Sequence, residues 1–256
     1  MNHTSNVVSI AKQLNESMLL AALPDNLEPN LPFILGETNS LYNQGRPGLS
    51  NTFGAALWGV DFNLWCATNS IRRVHMHQGT NYRYQSWQPV DTNITAKGTK
   101  APYYGNIGVA AFLGDLTTSS VPQIVNLPLP NEEESAYASY IDNKLARLIV
   151  VNMMEYNATD YNSNYTNTYP RPVEQYEFQL PPGHRGTFEL QRLLANGSDA
   201  ITGITFDGYS YNYELNNGMP VLQHNVTRGE TLKVGLNGKL SVGVPRSSAV
   251  IVRFDC

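Results

Sequence analysis

Residues 32–45 read PFILGETNSLYNQG, so that an apolar segment runs directly into a glutamate and then into turn-forming residues. The apolar residues 32–36 predict a short strand that is buried on both faces, as in a parallel sheet covered by helices. Glu37 ends this strand, and the carboxyl ends of parallel strands carry the functional groups of α/β proteins. The segment therefore predicts an α/β fold with Glu37 as a candidate functional carboxylate. A carboxylate that only caps the following loop, residues 38–40, is the alternative.

The sequence on both sides of this segment alternates between helical and strand patterns. A helix is predicted before Pro24, because apolar residues recur at helical spacing at Val7, Ile10, Ala11, Leu14, Met18 and Ala21. A second helix is predicted after the candidate N-cap Ser50, with an apolar stripe at Phe53, Leu57, Val60 and Leu64. A strand follows over residues 71–79, IRRVHMHQG, and a weaker helix over residues 106–113. This alternation is typical of the βα units of a barrel or a doubly wound sheet.

The second half of the chain has a different sequence pattern. Short segments rich in Val, Ile, Thr, Tyr and Phe are separated by clusters such as LPPGHRG and NNGMP. Strands are predicted over residues 144–154, 173–180, 186–195, 201–215, 231–236, 239–244 and 249–254. Residues 116–256 are therefore predicted to form an antiparallel β-sandwich, which follows an α/β part over residues 1–115.

Composition excludes several classes of partner. The chain has 256 residues, of which 41% are hydrophobic, so it can bury a sizeable core. A net charge of -4 with 17 scattered basic residues gives no basic patch for nucleic acid or an anionic membrane. Cys66 and Cys256 could pair or be buried separately, and neither has the spacing of a metal or redox site. We therefore expect no nucleic-acid or membrane partner, no metal and no cofactor, and the oligomeric state is not predicted.

Glycosylation sequons point to a secreted parent protein. Asn-X-Ser/Thr sequences begin at Asn2, Asn15, Asn93, Asn157, Asn164, Asn196 and Asn225. Chance occurrence in an Asn-rich chain is the alternative. Residues 1–26 lack the basic and continuous apolar regions of a signal peptide. The expectation is an extracellular parent protein whose signal peptide is not in this sequence.

Residues 34–65, ILGETNSLYNQGRPGLSNTFGAALWGVDFNLW, together with HQGTNYRY at 77–84, resemble glycoside hydrolase family 79, the β-glucuronidase and heparanase group. Gly-Glu-Thr-Asn-Ser at 36–40 fits the family motif that ends the seventh strand of a (β/α)8 barrel. The resemblance implies that residues 1–115 form about the last two βα units of that barrel. It also implies that residues 116–256 form the C-terminal β-sandwich domain of the family.

The resemblance assigns roles to particular residues. Glu37 takes the place of the retaining nucleophile, and Tyr42 that of a substrate-binding tyrosine beside the nucleophile and the sugar carboxylate. Thr80, Asn81 and Tyr82 match a segment that contacts the carboxylate of a uronic acid. The implied ligand is therefore a uronic-acid-containing glycan or glycoside. Neutral hydroxyl and amide donors suit such a ligand, because its carboxylate would repel an ionised nucleophile.

Other candidate residues have plainer explanations. His75 and His77 have His-x-His spacing, but no third ligand is in view, so side chains along a barrel strand are favoured over a metal site. Arg72 and Arg73 are expected at the structural end of that strand. Trp58 and Trp65 are expected in the core, whereas Trp87 is a candidate for lining a sugar cleft.

The acid/base partner of Glu37 is not evident. A retaining glycosidase needs a second, protonated carboxyl group about 5 Å from the nucleophile, and in this family it belongs to an Asn-Glu pair upstream. Asn15-Glu16 falls on the first predicted helix, and Asn131-Glu132 opens an acidic run that reads as solvated.

A (β/α)8 barrel also takes roughly 250 residues, which is more than the α/β part over residues 1–115 can supply. The sequence therefore predicts the C-terminal part of a retaining glycosidase, inactive on its own. A non-catalytic carbohydrate-binding or structural β-sandwich with a vestigial barrel segment is the alternative, and the unfolded product of a broken gene is a third.

Overall fold

The computed structural model describes residues 2–22, 32–118, 120–159 and 166–254. Within these ranges the helices are α1 (His3–Ala21), α2 (Phe53–Thr68), α3 (Ala101–Leu113) and α4 (Tyr213–Asn216). The strands are β1 (Ile34–Thr38), β2 (Arg73–Met76), β3 (Trp87–Gln88), β4 (Gly98–Thr99), β5 (Gln123–Leu127), β6 (Glu134–Ile141), β7 (Lys144–Asn152), β8 (Val173–Gln179), β9 (Thr187–Leu194), β10 (Thr205–Phe206), β11 (Tyr209–Ser210), β12 (Val221–Leu222), β13 (Glu230–Lys233), β14 (Lys239–Pro245) and β15 (Ser248–Arg253).

The strand that contains Glu37 belongs to a βαβ unit. β1 and β2 pair in parallel, with Leu35 opposite Val74, and α2 connects them. The predicted strand, helix and strand are therefore present. The expectation that β1 is buried on both faces is wrong for the described residues, since Ile34 is 42% exposed. The physical reason is that Leu35 and Val74 pack toward α1 and α2, whereas no described element covers the opposite face, which carries Ile34 and Arg73.

The two following helices begin at different residues from those predicted. α2 starts at Phe53 after Thr52, not directly after Ser50, and its predicted stripe is fully buried. α3 starts at Ala101, five residues before the predicted start at 106. Pro102 in its first turn is compatible with this start, because a first-turn residue needs no N–H partner within the helix.

The second half forms two antiparallel sheets. The larger sheet has nine strands in the order β12-β11-β10-β9-β15-β7-β6-β5, with β13 also paired to β9. The smaller sheet contains β14 and β8. Val150, Val250 and Val252 of the larger sheet pack with Leu240 and Val242 of the smaller one. The antiparallel sheets that the sequence predicted are therefore observed, packed face to face.

Helices cover the other face of the nine-stranded sheet. Successive residues of a strand point to opposite faces, so Ile149 and Ile251 lie on the side away from the smaller sheet. There they share one hydrophobic cluster with Phe53 and Leu57 of α2 and Phe112 of α3. The core is therefore continuous across residue 115. The division into domains 1–115 and 116–256 stays a prediction.

Two segments were misread from the sequence. The acidic run that begins at Asn131 is not entirely solvated, because Glu134 starts β6 and is only 7% exposed. The hydroxyl of Tyr176 donates a hydrogen bond of 2.6 Å to its carboxylate. Part of the strand predicted over residues 201–215 is instead the short helix α4.

A buried carboxylate joins α1 to the rest of the structure. Asp61 of α2 is fully buried and accepts hydrogen bonds from the Tyr137 hydroxyl and the Asn6 side-chain amide, both at 2.6 Å. His3 Nδ1 lies 3.0 Å from the same carboxylate. Burial, and then the Asp61 charge, raise the pKa of Tyr137 well above its ordinary value, so its hydroxyl remains a proton donor. The far end of α1 is different, since Met18 is 70% exposed.

Two glycines of the helix pair predict opposite effects on stability. A Cβ at Gly105 of α3 would lie 2.5 Å from the backbone oxygen of Ala56, so Gly105→Ala must push the helices apart. We expect the free energy of unfolding to fall by about 1–3 kcal/mol. Gly59→Ala in α2 is the matched control, because nothing lies within 4 Å of the new Cβ. It should raise stability by up to about 1 kcal/mol through helix propensity. Urea unfolding followed by circular dichroism measures both, and equal effects would contradict the packing.

Candidate active site

The carboxyl ends of β1 and β2 are joined by hydrogen bonds. The His77 backbone N–H donates to the Thr38 carbonyl at 3.0 Å, and the Asn39 side-chain amide donates to the His77 carbonyl at 2.9 Å. The segment after Glu37 is therefore fixed against the segment after β2. This pairing is what parallel strands predict, because their carboxyl ends lie at the same edge of the sheet.

The two loops remain in contact beyond this point. The Arg83 N–H donates to the Gln44 carbonyl at 2.8 Å, and the Tyr84 hydroxyl donates to the Asn43 carbonyl at 2.7 Å. Gly45, which directly follows Gln44, has φ +70°, and a Cβ on it would lie 3.0 Å from the Tyr84 ring. The loop that follows Glu37 is thus shaped by tight contacts with the segment that contains Tyr82 and Tyr84.

Glu37 lies in an open cleft of about 320 Å³ between α1, β1 and α2. Ser9 and Gln13 line it from α1, and Trp58 lines it from α2. The core role predicted for Trp58 is therefore incomplete, although its ring stacks on Phe62 at 4.9 Å. Glu37 is the only acidic residue among the described residues of the lining.

An aromatic cluster stands beside the end of β2. The Tyr82 ring stacks on the His77 ring with centroids 5.1 Å apart and 19° between the planes, and Tyr84 meets both rings edge-on. The Gly79 N–H donates to His77 Nδ1 at 3.2 Å. A Cβ at Gly79 would lie 2.4 Å from the Tyr82 ring, so this arrangement requires glycine.

Tyr84 is electrostatically coupled to Glu37. Its side chain is 5% exposed. Burial raises the pKa of the Tyr84 phenol most, and the neighbouring Tyr82 and the Glu37 carboxylate raise it further. Sequence reasoning missed this residue, although it lies two positions after Tyr82 in the quoted segment HQGTNYRY. A second tyrosine at that spacing was the available signal.

The remaining predicted site residues differ in their environments. Asn81 has φ +69°, and its backbone N–H donates to Gln88 Oε1 at 3.1 Å. Its side-chain oxygen accepts a hydrogen bond from the Thr92 hydroxyl. Thr80 is exposed, and Tyr42 is 79% exposed in the turn after β1. The structure therefore brings Tyr82 into the cluster, ties Asn81 to Gln88 and Thr92, and leaves Tyr42 projecting into solvent.

The other candidates lie outside this cluster or contribute little to it. His75 is exposed on β2, Trp87 is 51% exposed on β3, and Arg73 starts β2 at the end of the strand pair opposite Glu37. The described residues contain no group of three or more His, Cys, Asp or Glu side chains that could hold a metal. In the same ranges no helix is long and apolar enough to cross a membrane.

The candidate disulfide involves one described cysteine. Burial, and then the Asp61 charge, raise the pKa of the Cys66 thiol to about 12. Cys66 is fully buried beside α1 and has no disulfide partner among the described residues. Cys256 lies outside those residues, so the predicted alternatives stay open.

The coupling between Tyr84 and Glu37 predicts a pH effect. A raised phenol pKa stabilises the folded state below the ordinary tyrosine value of about 10, and this contribution is lost as pH rises through the raised value. Glu37→Gln removes one cause, so the pKa of Tyr84 should fall. Tyrosine-selective NMR, with Tyr84→Phe for assignment, measures it. The matched control Glu132→Gln, in an exposed turn, should leave the pKa of Tyr84 unchanged. Equal values in both variants would contradict the coupling.

Comparison with known families identifies the β-sheet part. Residues 136–251 match the domain described as the glycosyl hydrolase family 79 C-terminal beta domain. This range runs from β6 into β15, so that part of the chain is a C-terminal β domain of family 79. The resemblance to family 79, which residues 34–65 and 77–84 suggested, is therefore confirmed at the level of the family.

Relatives of this chain carry a more specific name. A protein named β-glucuronidase from Aspergillus niger is 56% identical over 257 residues, which cover 98% of this chain and 46% of that protein. A protein of the same name from Neurospora crassa is 47% identical over 283 residues, which cover 99% of this chain and 50% of that protein. The chain therefore spans about half the length of the curated relatives it matches.

A solved structure shares the fold. The 4-O-α-L-rhamnosyl-β-D-glucuronidase from Fusarium oxysporum 12S superposes with a TM-score of 0.77 over 99% of this chain and 49% of its own. The two sequences are 24% identical, so this likeness concerns the fold alone.

Proposed function

We propose that this chain is the C-terminal part of a retaining glycoside hydrolase that acts on β-linked glucuronic acid, with Glu37 as its nucleophile. The observation that carries the proposal is the position of Glu37 at the carboxyl end of β1, where the next residue, Thr38, accepts a hydrogen bond from the backbone N–H of His77 in the aromatic cluster. The names of the two curated relatives support the substrate class.

The chemistry assigned to Glu37 needs an ionised carboxylate with an open approach. The side chain is exposed in its cleft, which leaves it accessible to an anomeric carbon. Attack forms a glycosyl ester on one carboxylate oxygen, while the leaving oxygen takes a proton from an acid about 5 Å away. Glu37 is the only acid among the described residues that line the cleft, so the proposal places the acid/base outside this chain.

Neutral donors near Glu37 suit the uronate carboxylate. In the segment 79–82, the N–H groups of Gly79, Asn81 and Tyr82 already donate to protein acceptors. The Thr80 N–H has no acceptor among the described residues. We assign this N–H group and the Tyr82 hydroxyl to the sugar carboxylate, with Asn81 fixing the turn between them.

Tyr42 and two buried atoms complete the proposed substrate contacts. Tyr42 is exposed, so its proposed contact with the uronate depends on a ligand reaching the turn after β1. Gln13 Oε1 and Ser40 Oγ lie buried in the lining of the Glu37 cleft without a hydrogen-bond partner in the described structure. A hydroxyl-rich ligand would satisfy such atoms, whose burial alone is unfavourable.

The parallel strand pair supports the proposal that residues 1–115 are the end of a (β/α)8 barrel. Both outer edges of the pair are unpaired in the described structure, and exposed edges are unfavourable in soluble proteins. Closure of such a barrel would also cover the exposed face that carries Ile34. The β-sandwich domain, residues 116–256, then packs on α2 and α3 of that barrel.

Exposed sequons support the proposal that the parent protein is secreted. Asn15, Asn93, Asn196 and Asn225 are exposed, so each could carry a glycan without disturbing the core. Asn164 lies outside the described residues. Mass spectrometry of the protein secreted from a fungal host measures their occupancy.

Turnover of 4-nitrophenyl β-D-glucuronide tests the proposed function. The chain alone should be inactive. Its fusion to the upstream half of the Aspergillus niger relative should be active, and Glu37→Gln in that fusion should lower kcat by about 10⁴-fold or more. The matched control Glu132→Gln removes an exposed carboxylate elsewhere and should leave kcat within twofold.

Two results would contradict this account. Full activity of the fusion with Glu37→Gln would refute the nucleophile assignment. Turnover by the chain alone that Glu37→Gln abolishes would show that an acid/base is present within these 256 residues.

A further inference from the structure

A second cleft, of about 460 Å³, is lined by Tyr82, whose ring also stacks on the His77 ring. Its lining comes from four parts of the chain: residues 47 and 51, residues 81–85, residues 94–101, and residues 201–214. Its volume falls in the usual range of ligand sites, about 300–1,000 Å³. We name it the distal cleft, and we propose that it binds a carboxylate-bearing sugar unit of a glycan.

The walls of the distal cleft are fixed by the surrounding structure. The Thr99 hydroxyl donates to the Tyr211 carbonyl at 2.7 Å, and the buried Tyr104 hydroxyl donates to Asn212 Oδ1 at 2.9 Å. The Phe53 N–H donates to the carbonyl of Ala200, the residue before Ile201 of the lining, at 2.7 Å. The cleft is therefore preformed, which reduces the entropy lost on binding.

The distal cleft contains a surplus of hydrogen-bond donors. Asn51 Oδ1 accepts from the Gly48 N–H and Asn212 Oδ1 accepts from Tyr104, so both amides use their oxygen on the protein and keep their NH₂ groups for a ligand. The Arg83 guanidinium donates to Gln44 Oε1 through one of its five N–H groups. Sugar hydroxyls and a carboxylate supply the acceptors that this lining needs.

Charge selects an acidic sugar over a neutral one. The Lys100 ammonium donates to the Thr95 hydroxyl at 3.1 Å and the Ala96 carbonyl at 2.6 Å, which leaves one of its three N–H groups. Lys100 and Arg83 give two positive charges, against one negative charge on Glu214. The described lining is therefore net positive. Burial lowers the pKa of the Lys100 ammonium, and the neighbouring Glu214 and Asp91 carboxylates raise it. The remaining N–H group of Lys100 would form a charge-assisted hydrogen bond with a sugar carboxylate.

The position of the distal cleft relates it to Glu37. Tyr82 lines the distal cleft, and its ring stacks on His77 at the carboxyl end of β2. A glycan that passes around the Tyr82 segment would thus contact both sites. Binding of one glycan chain to both sites rests on the proposed function, whereas binding of a sugar at the distal cleft does not.

Methyl NMR of the whole chain tests the proposal. Ile94 and Ile201 line the distal cleft, and Ile10 lines the Glu37 cleft, so isoleucine-δ1 labelling reports each site separately. The probe is a hyaluronan tetrasaccharide, in which glucuronate alternates with N-acetylglucosamine. We expect saturable shifts of Ile94 and Ile201, and at least tenfold weaker binding of chitotetraose, a neutral chain of the same length.

Two lysines on one loop provide the matched variants. Lys100→Met should weaken binding of the tetrasaccharide by about tenfold, because it removes a charged donor. Lys97→Met removes the same charge from a side chain that lies over the Tyr213 ring outside the cleft lining, and should change affinity less than twofold. A thermal melt of each variant confirms that the fold is retained.

The outcomes separate this proposal from the assignment of Glu37. Absent shifts at Ile94 and Ile201 in millimolar tetrasaccharide, equal effects of the two lysine variants, or equal binding of chitotetraose would overturn the distal cleft as an acidic-sugar site. Glu37→Gln should leave the Ile94 and Ile201 titrations unchanged. If the glucuronide assay fails to support the assignment of Glu37 but Ile94 and Ile201 still shift, the distal cleft remains supported on its own.

Discussion

Burial of two apolar faces of α2 is the constraint on which the rest of this structure depends. Phe53, Leu57 and Val60 pack toward the nine-stranded sheet, whereas Phe62 and Cys66 pack toward α1 and the parallel strands. A helix with two apolar faces must be covered on both, because exposing either one is unfavourable. The helix therefore connects the strand that carries Glu37 rigidly to the β domain, and Asp61 on the same helix fixes the start of α1.

The part of the fold that the sequence predicts well is the part with strong periodicity. The α2 stripe and most long strands of the second half were predictable, because apolar spacing directly reflects burial. The strand β1 was also predictable, but its exposed face was not. Glu134 was not, since its burial depends on Tyr176, which is distant in sequence and reaches it only in the folded sheet. The helical structure of residues 213–216 was also missed, because aromatic residues favour strands and local propensity is a weak guide over four residues.

The candidate site shows the same division. The motif at residues 36–40 singled out Glu37, and the segment 80–82 was noted for its resemblance to a known family. The His77, Tyr82 and Tyr84 cluster depends instead on ring orientations and on the absence of a Cβ at Gly79, which only the folded chain shows. The distal cleft draws on both halves of the chain, and no local sequence pattern could have indicated it.

The central claim of this account is that Glu37 forms the covalent bond to the sugar. The fusion with the upstream half of the Aspergillus niger relative, treated with 2-deoxy-2-fluoro-β-D-glucuronosyl fluoride, offers the most direct measurement, because the fluorine slows hydrolysis of the glycosyl-enzyme and fluoride departs readily. The account predicts one added fluoroglucuronosyl group, found by peptide mass spectrometry on Glu37 and absent from Glu37→Gln. An adduct on another carboxylate, or complete inactivation with Glu37 unmodified, would contradict it.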